Sequence, residues 1–379
     1  MTVYLDYNAT TPLAPQALHA MRPYLDQHFG NPSSIHRAGR EARAAIDNSR
    51  DRLAHLLHAK PNEIIFTGGG TEADNLAVIG LARARRDEGR RLVTAATEHH
   101  AVLHAFDFLE KKEGFQVTRL SVDREGRIDL EELRAALVQG TTLVSIMSAN
   151  NETGVLQPVR EISALCREHG ALFHSDVIQS FGKQPVDARD FDALSIAAHK
   201  FYGPKGAGLL YLRSGLSIER IALGGSHEGE RRAGTENVAA IVGMAAAAEL
   251  ALANVEEEQA REAQLRDQLW NGLQRIFPAA VCNGCCAPRL ANTLNVSFPG
   301  MEGESLLMNF DLAGICASSG SACMVGSVVP SHVLLAMGVS PELARGTVRF
   351  SLGKPTTPQE IEQTLNCLPP IFDRLKTAA

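Results

Sequence analysis

The sequence predicts an α/β fold: a large domain with a mostly parallel sheet of seven strands flanked by helices, and a small α+β domain. Between residues 63 and 212, short runs rich in β-branched residues alternate with helical stretches. A long helical stretch from about Asn237 towards Ile276 then leads into a C-terminal region that mixes strands with helices. With 379 residues, 45% of them hydrophobic, the chain can bury two large cores.

The hydrophobic pattern also predicts the domain limits and the elements. We expect the large domain to span 15–255, and the small domain to combine 1–14 with 256–379. Strands are predicted near Glu63–Thr67, Arg91–Ala95, Gln116–Val122, Leu143–Ala149, Leu172–Ser175, Ala193–Ala197, Leu209–Leu212, Leu294–Phe298 and Thr347–Phe350. Helices are predicted near Glu72–Arg86, His100–Lys112, Leu130–Val138, Glu161–His169, Glu304–Asn309 and Pro358–Arg374, with further helical pattern over 14–57 that is broken at 30–34.

The composition limits the classes of partner and setting. A net charge of -6 with mixed signs leaves no broad basic surface, so nucleic acid is not an expected partner. The longest apolar stretch, Ala239–Val255, is rich in alanine and interrupted by Glu249, which favours a packed helix over a membrane span. Seven cysteines in a large chain that opens without a charged and apolar leader indicate a reducing, cytoplasmic setting with no need for disulfides.

Lys200 is the residue around which the candidate site is arranged. An apolar strand within the run from Leu194 to Leu209 delivers this lysine into a glycine-rich turn. Burial disfavours the ammonium form of lysine, and the free amine can act as a nucleophile or form a Schiff base. A structural ion pair is the alternative explanation for a lysine at the end of a strand.

A glycine-rich turn follows the strand predicted at Glu63–Thr67. It reads Gly68-Gly69-Gly70-Thr71-Glu72, and a helix begins there. Glycine allows close backbone approach, and the exposed amides and dipole of a helix start favour an anion. The turn lacks the Gly-Lys-Ser/Thr ending of a triphosphate loop and the spacing of a dinucleotide fingerprint. We interpret it as a phosphate cradle, with a tight strand-to-helix turn as the alternative.

Three more predicted strands are followed by polar side chains. Asp176 ends one of them, with Gln179 three residues later, and a buried acid needs a positive partner such as a protonated pyridine nitrogen. His99 follows another strand and is suited to stacking on an aromatic ring or to moving protons. Asn150 and Asn151 follow the third and offer hydrogen bonds without charge. A helix cap, a salt bridge and a structural histidine are the corresponding alternatives.

These polar groups should meet, because ligands collect at the carboxyl ends of the strands of a parallel sheet. Five strand ends together supply a phosphate turn, a histidine, an amide, an acid with a glutamine, and a lysine. A pyridoxal phosphate site needs each of these parts, and the combination is more specific than any single member.

The small domain contributes two further candidates. Cys323 lies among serines and glycines in a segment that predicts a mobile loop over about 318–331 presenting a thiol. Arg349 is a charged residue inside an apolar strand, and arginine suits bidentate capture of a carboxylate, here that of an amino acid. A buried unreactive cysteine and a structural ion pair are the alternatives.

Three other cysteines, Cys282, Cys285 and Cys286, have the Cys-x-x-Cys spacing of a metal site. No second Cys/His pair lies near them in sequence to complete four ligands, so we favour a surface loop over a cysteine-ligated metal protein. Cys166 and Cys316 lie in helical and apolar runs and are expected in the core.

Taken together, the motifs resemble the cysteine desulfurases of the NifS/IscS type, within the class-V, fold-type I pyridoxal phosphate enzymes. The likeness covers essentially the whole chain. It rests on the order and spacing of Leu5-Asp6-Tyr7-Asn8-Ala9-Thr10-Thr11-Pro12, Gly30-Asn31-Pro32-Ser33-Ser34, Thr71-Glu72-Ala73-Asp74-Asn75, Thr97-Glu98-His99, Asn150-Asn151-Glu152-Thr153-Gly154, His174-Ser175-Asp176, His199-Lys200-Phe201-Tyr202-Gly203-Pro204-Lys205-Gly206 and Ser318-Ser319-Gly320-Ser321-Ala322-Cys323.

The resemblance implies how the cofactor is held. Lys200 would bind pyridoxal phosphate covalently, His99 would stack on its ring and help with proton transfer, and Asp176 would pair with the ring nitrogen. Asn151 and Gln179 would bond to the ring substituents.

The same resemblance implies the phosphate ligands and the assembly. Gly70, Thr71 and His199 would hold the phosphate together with Thr235 of a second subunit, which makes the expected working unit a homodimer. Arg349 would bind the carboxylate of L-cysteine.

Cys323 would take the substrate sulfur as a persulfide, releasing L-alanine, and pass it to an acceptor such as an iron–sulfur cluster scaffold. No resident metal is implied, with Cys323 a candidate for a transient iron–sulfur ligand. The alternatives are a selenocysteine or cystine lyase on the same fold, in which Cys323 would be dispensable, and a non-catalytic assembly partner.

The chain departs from the family pattern at two places. The family usually has a serine three residues before the lysine, whereas this chain has Ala197, so one phosphate-binding hydroxyl is missing. After the cysteine, the sequence 324–331 differs from the usual family sequence, which bears on loop mobility and on the choice of acceptor.

Overall fold

A computed structural model describes residues 2–319 and 330–378 of the chain. Its strands are β1 (Val3–Tyr4), β2 (Ile64–Thr67), β3 (Arg91–Ala95), β4 (Gln116–Leu120), β5 (Thr141–Ser145), β6 (Leu172–Asp176), β7 (Ala193–Ala197), β8 (Gly208–Leu212), β9 (Val281–Cys282), β10 (Thr293–Ser297), β11 (Ile315–Cys316) and β12 (Thr347–Ser351). Its α-helices are α1 (Pro15–Met21), α2 (Pro23–Asp26), α3 (Arg37–Leu56), α4 (Gly70–Ala84), α5 (His100–Glu113), α6 (Leu130–Val138), α7 (Val159–Glu168), α8 (Val238–Leu252), α9 (Val255–Ile276), α10 (Gly303–Leu312), α11 (His332–Ala336), α12 (Pro341–Arg345) and α13 (Pro358–Ala378).

The large sheet has seven strands in the order β2-β8-β7-β6-β5-β3-β4. β8 runs antiparallel to β2 and β7, and the pairs from β7 through β6, β5 and β3 to β4 are parallel. The central strands are buried at every position, as expected for strands covered by helices on both faces. The predicted fold class, a mostly parallel seven-stranded sheet with a further α+β layer, is confirmed.

Two packed layers cover this sheet. On β2, Ile65 points into a core shared with α4 and α5, whereas Ile64 and Phe66 point into a core shared with α3 and α8, because side chains alternate along a strand. A further core joins Val3 and Leu5 of the N-terminal segment to α9, α13, β10 and β12. The domain limits 15–255 and 256–379 stay a prediction.

The single long helix expected from Asn237 to Ile276 is wrong. α8 ends at Leu252 and α9 begins at Val255, with an angle of 71° between them. Asn254 breaks the helix with φ -138° and ψ 42°, and the alanine-rich pattern gives no glycine or proline to signal the break. Within the described ranges, no helix is by itself long and apolar enough for a bilayer span, and α8 and α9 meet that test of length and composition only as a bent pair.

Two predicted strand ends also differ. The strand expected at Leu143–Ala149 lies at Thr141–Ser145, and the one expected at Gln116–Val122 ends at Leu120. Past Ser145 the backbone still pairs with its neighbour, since Ile146 N donates to His174 O and Ser148 N to Asp176 O. Residues 146–148 therefore continue the backbone pairing with β6 beyond the end of β5, although they are not part of the regular strand.

The cysteines depart from expectation at two places. Cys282, which ends β9, forms a disulfide with Cys285, although the sequence suggested no need for disulfides. Cys166 is buried as predicted, but Cys316 on β11 is partly exposed, and this short strand pairs only with β1 in a two-stranded sheet.

Candidate active site

A cavity of about 320 Å³ opens at the carboxyl ends of the large-sheet strands. This volume is in the range of small-molecule sites in proteins. Its walls combine the N-terminal segment, the strand ends and β12. The residues that line it are Asn8, Ala9, Gly70, Thr71, Asp74, His99, His100, Met147, Ala149, Asn151, Glu152, Asp176, Ile178, Gln179, Ala197, His199, Lys200, His332 and Arg349.

Lys200 enters this cavity from a short 3-10 turn, Ala198–Lys200, that directly follows β7. Its Nζ donates to the carbonyl oxygens of Asn8 at 2.7 Å and Ala9 at 2.8 Å. These contacts place the N-terminal segment against the lysine and aim the amine into the cavity.

The glycine turn between β2 and α4 forms one end of the cavity. Gly69 has φ +148°, which favours glycine, and a Cβ on Gly70 would lie 2.2 Å from the end of the Ile178 side chain, which would have to move. Glu72 fixes the turn by accepting from Gly68 N at 2.6 Å and pairing with Arg232 at 2.7 Å. No side chain of the described residues caps α4, so its first amides and the helix dipole are available to an anion.

Asp176 ends β6 on the floor of the cavity. Its Oδ1 accepts from Ile178 N at 2.9 Å, and burial raises the pKa of the carboxyl to about 6, opposed by that hydrogen bond and by the charge of Lys200. Asp74 on α4 is also fully buried, with His174 Nε2 at 3.8 Å from its Oδ1, and burial raises its pKa. Buried acids of this kind favour a cationic partner in the cavity.

His99 is the N-cap of α5, and its position there fixes its tautomer. Nδ1 accepts from Ala101 N at 3.1 Å, so the single proton of the neutral ring lies on Nε2. Burial, with the charge of Lys200, lowers the pKa of His99 to about 4. At neutral pH this side chain is therefore an uncharged imidazole with one N–H to offer.

Two amide residues, Gln179 and Asn151, and a second histidine, His199, also line the cavity. Gln179 Nε2 donates to Asn8 O at 3.0 Å, and Asn151 lines the wall while its backbone oxygen accepts from Arg349. His199 Nδ1 lies 3.1 Å from Thr10 Oγ1, and burial, followed by the charges of nearby lysines, lowers its pKa to about 4.

Arg349 lies on β12, and its side chain is 2% exposed. Its Nη2 pairs with Asp6 Oδ1 at 2.7 Å, and its Nη1 donates to Asn151 O at 2.9 Å. The ion pair that the sequence left open as an alternative is therefore present. Arg349 also lines the cavity, so the ion pair with Asp6 holds the arginine in the cavity wall.

Of the remaining predicted site residues, one lies away from the cavity and one falls outside the described residues. Thr235 is exposed in the loop before α8 and is absent from the lining residues of the described part. Cys323 lies outside the described residues, as does most of the predicted loop at 318–331. The described residues on either side of it contact the cavity wall: Ser318 bridges to Arg349 through backbone hydrogen bonds, and Ser331 Oγ donates to Glu152 Oε2 at 2.5 Å.

Sequence reasoning missed several residues of the site. Lys183 is half-buried beside the cavity, and its Nζ donates to Gln179 Oε1 at 2.9 Å and to Asn8 Oδ1 at 3.3 Å. Burial lowers the pKa of Lys183 to about 7, and the neighbouring Glu262 opposes this shift. No local pattern marks Lys183, whereas Asp74 on α4, also missed, lies in the motif Thr71-Glu72-Ala73-Asp74-Asn75.

His332 and Glu152 were also missed. The rings of His332 and His100 lie 4.6 Å apart at the cavity wall, and His332 Nε2 donates to Glu98 O at 3.0 Å. Glu152 is fully buried, and burial raises its pKa. Glu152 lies in the motif Asn150-Asn151-Glu152-Thr153-Gly154, which drew attention to its asparagines only, and no sequence pattern singles out His332.

Comparisons with known proteins agree with this geometry. The aminotransferase class-V family matches residues 3–364. The cysteine desulfurase IscS of Dictyoglomus turgidum is 48% identical over 377 residues, covering 99% of this chain and 95% of that protein. A solved structure of a NifS-like protein superposes with a TM-score of 0.93 at 36% identity, covering 99% of this chain and 100% of that one. Another, SspA in complex with cysteine, has a TM-score of 0.81 at 36% identity over 93% and 99% of the two chains.

The chain therefore belongs to the aminotransferase class-V family and, within it, to the cysteine desulfurases. These enzymes depend on pyridoxal phosphate, and the expected cofactor is confirmed at the level of the family. The residues of the cavity themselves fit pyridoxal phosphate, because they combine a lysine amine, a buried acid and a glycine-rich turn at a helix start.

Proposed function

We propose that this chain removes sulfur from L-cysteine, giving L-alanine and a persulfide on Cys323. The observation that carries the proposal is the meeting of Lys200, Asp176 and the Gly70–Thr71 helix start in one cavity. The names of the curated relatives support the same activity.

When bound, pyridoxal phosphate supplies an electron sink that weakens the bond between the substrate carbon and its sulfur. Lys200 would hold the cofactor covalently, and its two carbonyl contacts aim the amine. Gly70, Thr71 and His199 would hold the phosphate. Asp176 would stabilise the protonated ring nitrogen, because a buried carboxylate gains most from a cation beside it.

The ring substituents would be held by Asn151 and by Gln179. Gln179 is oriented at both ends of its amide, since Nε2 donates to Asn8 and Oε1 accepts from Lys183. Ala197 presents a methyl group where the family places a hydroxyl, so the helix start carries a larger share of phosphate binding in this chain.

Substrate binding would depend on Arg349. Its guanidinium is held in the wall by Asp6 and can still offer a planar set of donors to a carboxylate. The structural relative SspA is in complex with cysteine, which supports cysteine as the substrate here. His99, with its proton on Nε2, would donate and recover a proton at the reacting end of the substrate.

Sulfur transfer would end on Cys323. Its thiolate attacks the substrate sulfur, the carbon–sulfur bond breaks, and the carbon takes a proton, so that L-cysteine and one protein thiol become L-alanine and one protein persulfide. Ser318 and Ser331, which flank this part of the chain, contact Arg349 and Glu152 in the cavity wall. This attachment supports delivery of the thiol to the cavity.

The decisive experiment measures alanine and sulfide together in three variants. Cys323→Ser should lose nearly all cysteine turnover, Lys200→Ala should lose turnover and covalent cofactor, and Cys286→Ser should match the unmodified protein. Full turnover by Cys323→Ser would reject the persulfide role and favour a lyase on the same fold.

We further propose a cytoplasmic homodimer that passes sulfur to an acceptor such as an iron–sulfur scaffold. Thr235 is exposed and does not line the described cavity of its own chain, which supports a role in a partner subunit. Sedimentation analysis, with a Thr235→Ala variant tested for weaker phosphate binding in the dimer, checks this assembly.

A further inference from the structure

A cluster of sulfur and positive charge lies where β9 leads into the loop before β10. Cys282 and Cys285 form a disulfide there. Arg289 Nη1 donates to both sulfur atoms, at 3.1 Å for Cys285 and 3.4 Å for Cys282. Cys286 is exposed next to this pair, and its backbone N donates to Glu125 Oε2 at 2.9 Å. One guanidinium therefore faces two sulfur atoms that are only partly covered.

The charge beside these sulfurs has a chemical consequence. Burial lowers the pKa of Arg289 to about 10, so the guanidinium is still a cation at neutral pH. A cation beside a cysteine favours the thiolate, which is the form that attacks disulfides. Cys285 has the shorter contact and is the better candidate for the attacking thiolate.

A purely structural role explains this pair poorly. The two cysteines are three residues apart, and the stabilisation that a disulfide gives through chain entropy is smallest for short loops. The loop is also held without the disulfide, because the buried side chain of Asn283 donates to Asn295 Oδ1 at 2.7 Å and to Ser297 Oγ at 2.8 Å. Reduction of the pair can therefore occur without loss of the loop.

We propose that Cys282 and Cys285 form a thiol–disulfide exchange site that reacts with small disulfides such as glutathione disulfide, with Arg289 stabilising the Cys285 thiolate. In the reduced protein, the Cys285 thiolate attacks one sulfur of the small disulfide, which forms a mixed disulfide and releases one small thiolate. The Cys282 thiolate then attacks the Cys285 sulfur and releases the second. Two protein thiols are oxidised by two electrons, and one small disulfide is reduced to two thiols.

The first test follows the three cysteines by mass. Full-length protein with its cofactor is reduced, equilibrated in mixtures of glutathione and glutathione disulfide, quenched with N-ethylmaleimide and digested with trypsin. The peptide 276–289, which carries all three cysteines, should change from three labels to one in a single two-electron transition. Three labels at every ratio, including glutathione disulfide alone, would overturn the proposal.

The second test examines the part played by Arg289. Removing the guanidinium takes away the cation that favours the thiolate, so Arg289→Met should slow alkylation of the reduced Cys285 thiol at neutral pH by about tenfold. Arg289→Lys keeps the charge and should keep most of the rate, and Cys286→Ser should leave the two-electron transition unchanged. An unaltered rate in Arg289→Met would refute the assigned role.

If Arg289→Met does not fold, the unmodified protein provides a second measurement. In the unmodified reduced protein, Cys285 should then be alkylated at a lower pH than its exposed neighbour Cys286, and identical pH profiles for the two would count against it. Both tests measure alkylation of the cysteine thiols, so their outcome is independent of whether the chain turns over cysteine.

Discussion

Asn8 connects the N-terminal segment to both sides of the cavity, and its replacement by alanine should destabilise the fold strongly. The side chain is 1% exposed. Its Oδ1 accepts from Lys183 Nζ at 3.3 Å and from Asn292 Nδ2 at 3.0 Å, while its Nδ2 donates to Thr293 Oγ1 at 2.9 Å and to Asn151 O at 3.2 Å. Asn8→Ala removes all four bonds and leaves their partners in a buried site.

The expected loss in the free energy of unfolding follows from these four hydrogen bonds. Each neutral bond contributes about 1 kcal/mol, and the bond from Lys183, whose amine is about half protonated near its pKa of about 7, contributes about 1–2 kcal/mol. Part of the loss is offset, because Asn292 Nδ2 keeps its bond to Leu352 O at 3.1 Å and Thr293 Oγ1 still donates to Asn292 at 3.0 Å. We expect Asn8→Ala to lower the free energy of unfolding by about 3–4 kcal/mol.

Urea unfolding followed by circular dichroism measures this difference. Asn48→Ala, on the exposed side of α3, is the matched control and should change the free energy of unfolding by less than about 0.5 kcal/mol. Asn8→Asp keeps the acceptors for Lys183 and Asn292 and should fall between the two. A loss below about 1 kcal/mol for Asn8→Ala would show that these four bonds do not hold the segment in place.

Three further predictions concern the cavity. The Asp176 carboxyl, with a pKa of about 6, loses its charge below that pH, so the affinity of the apoprotein for pyridoxal phosphate should fall about tenfold per pH unit below 6. Absorbance titration with the cofactor measures this affinity. If Asp176→Asn shows the same pH dependence, another group causes the loss of affinity. His99, with its pKa lowered to about 4, should show no proton-NMR titration between about pH 5.5 and 8, and a midpoint near its ordinary value would contradict its burial. Arg349→Lys should lower kcat/KM for cysteine about 10- to 100-fold, mainly through KM, and a loss confined to kcat would argue against carboxylate binding.

The parts of the site that the sequence predicted share one property. Lys200, Asp176 and the Gly70–Thr71 turn each come directly after a strand or at the start of the following helix, and parallel strands bring those positions to one edge. Order along the chain was therefore enough to predict that they meet, and the cavity confirms that they do.

The missed parts depend on contacts that no local pattern encodes. Asn8 lies in a segment that is uninformative by itself, and its partners Lys183 and Thr293 are 175 and 285 residues away. The break between α8 and α9 has the same origin, since the surrounding alanines fit either a straight helix or two packed ones. Packing against the rest of the protein decides such positions, and a single sequence does not display it.

The acids below the cavity explain why one aspartate rather than another would pair with the cofactor. Asp74, Glu98 and Asp176 are all buried, and burial raises the pKa of each. Only for Asp176 do both a backbone N–H and the Lys200 charge oppose that effect, so it is the acid that a cation in the cavity can ionise most readily. Once ionised, Asp176 raises the pKa of the other two further, so a negative charge on Asp176 is favoured over one on either neighbour.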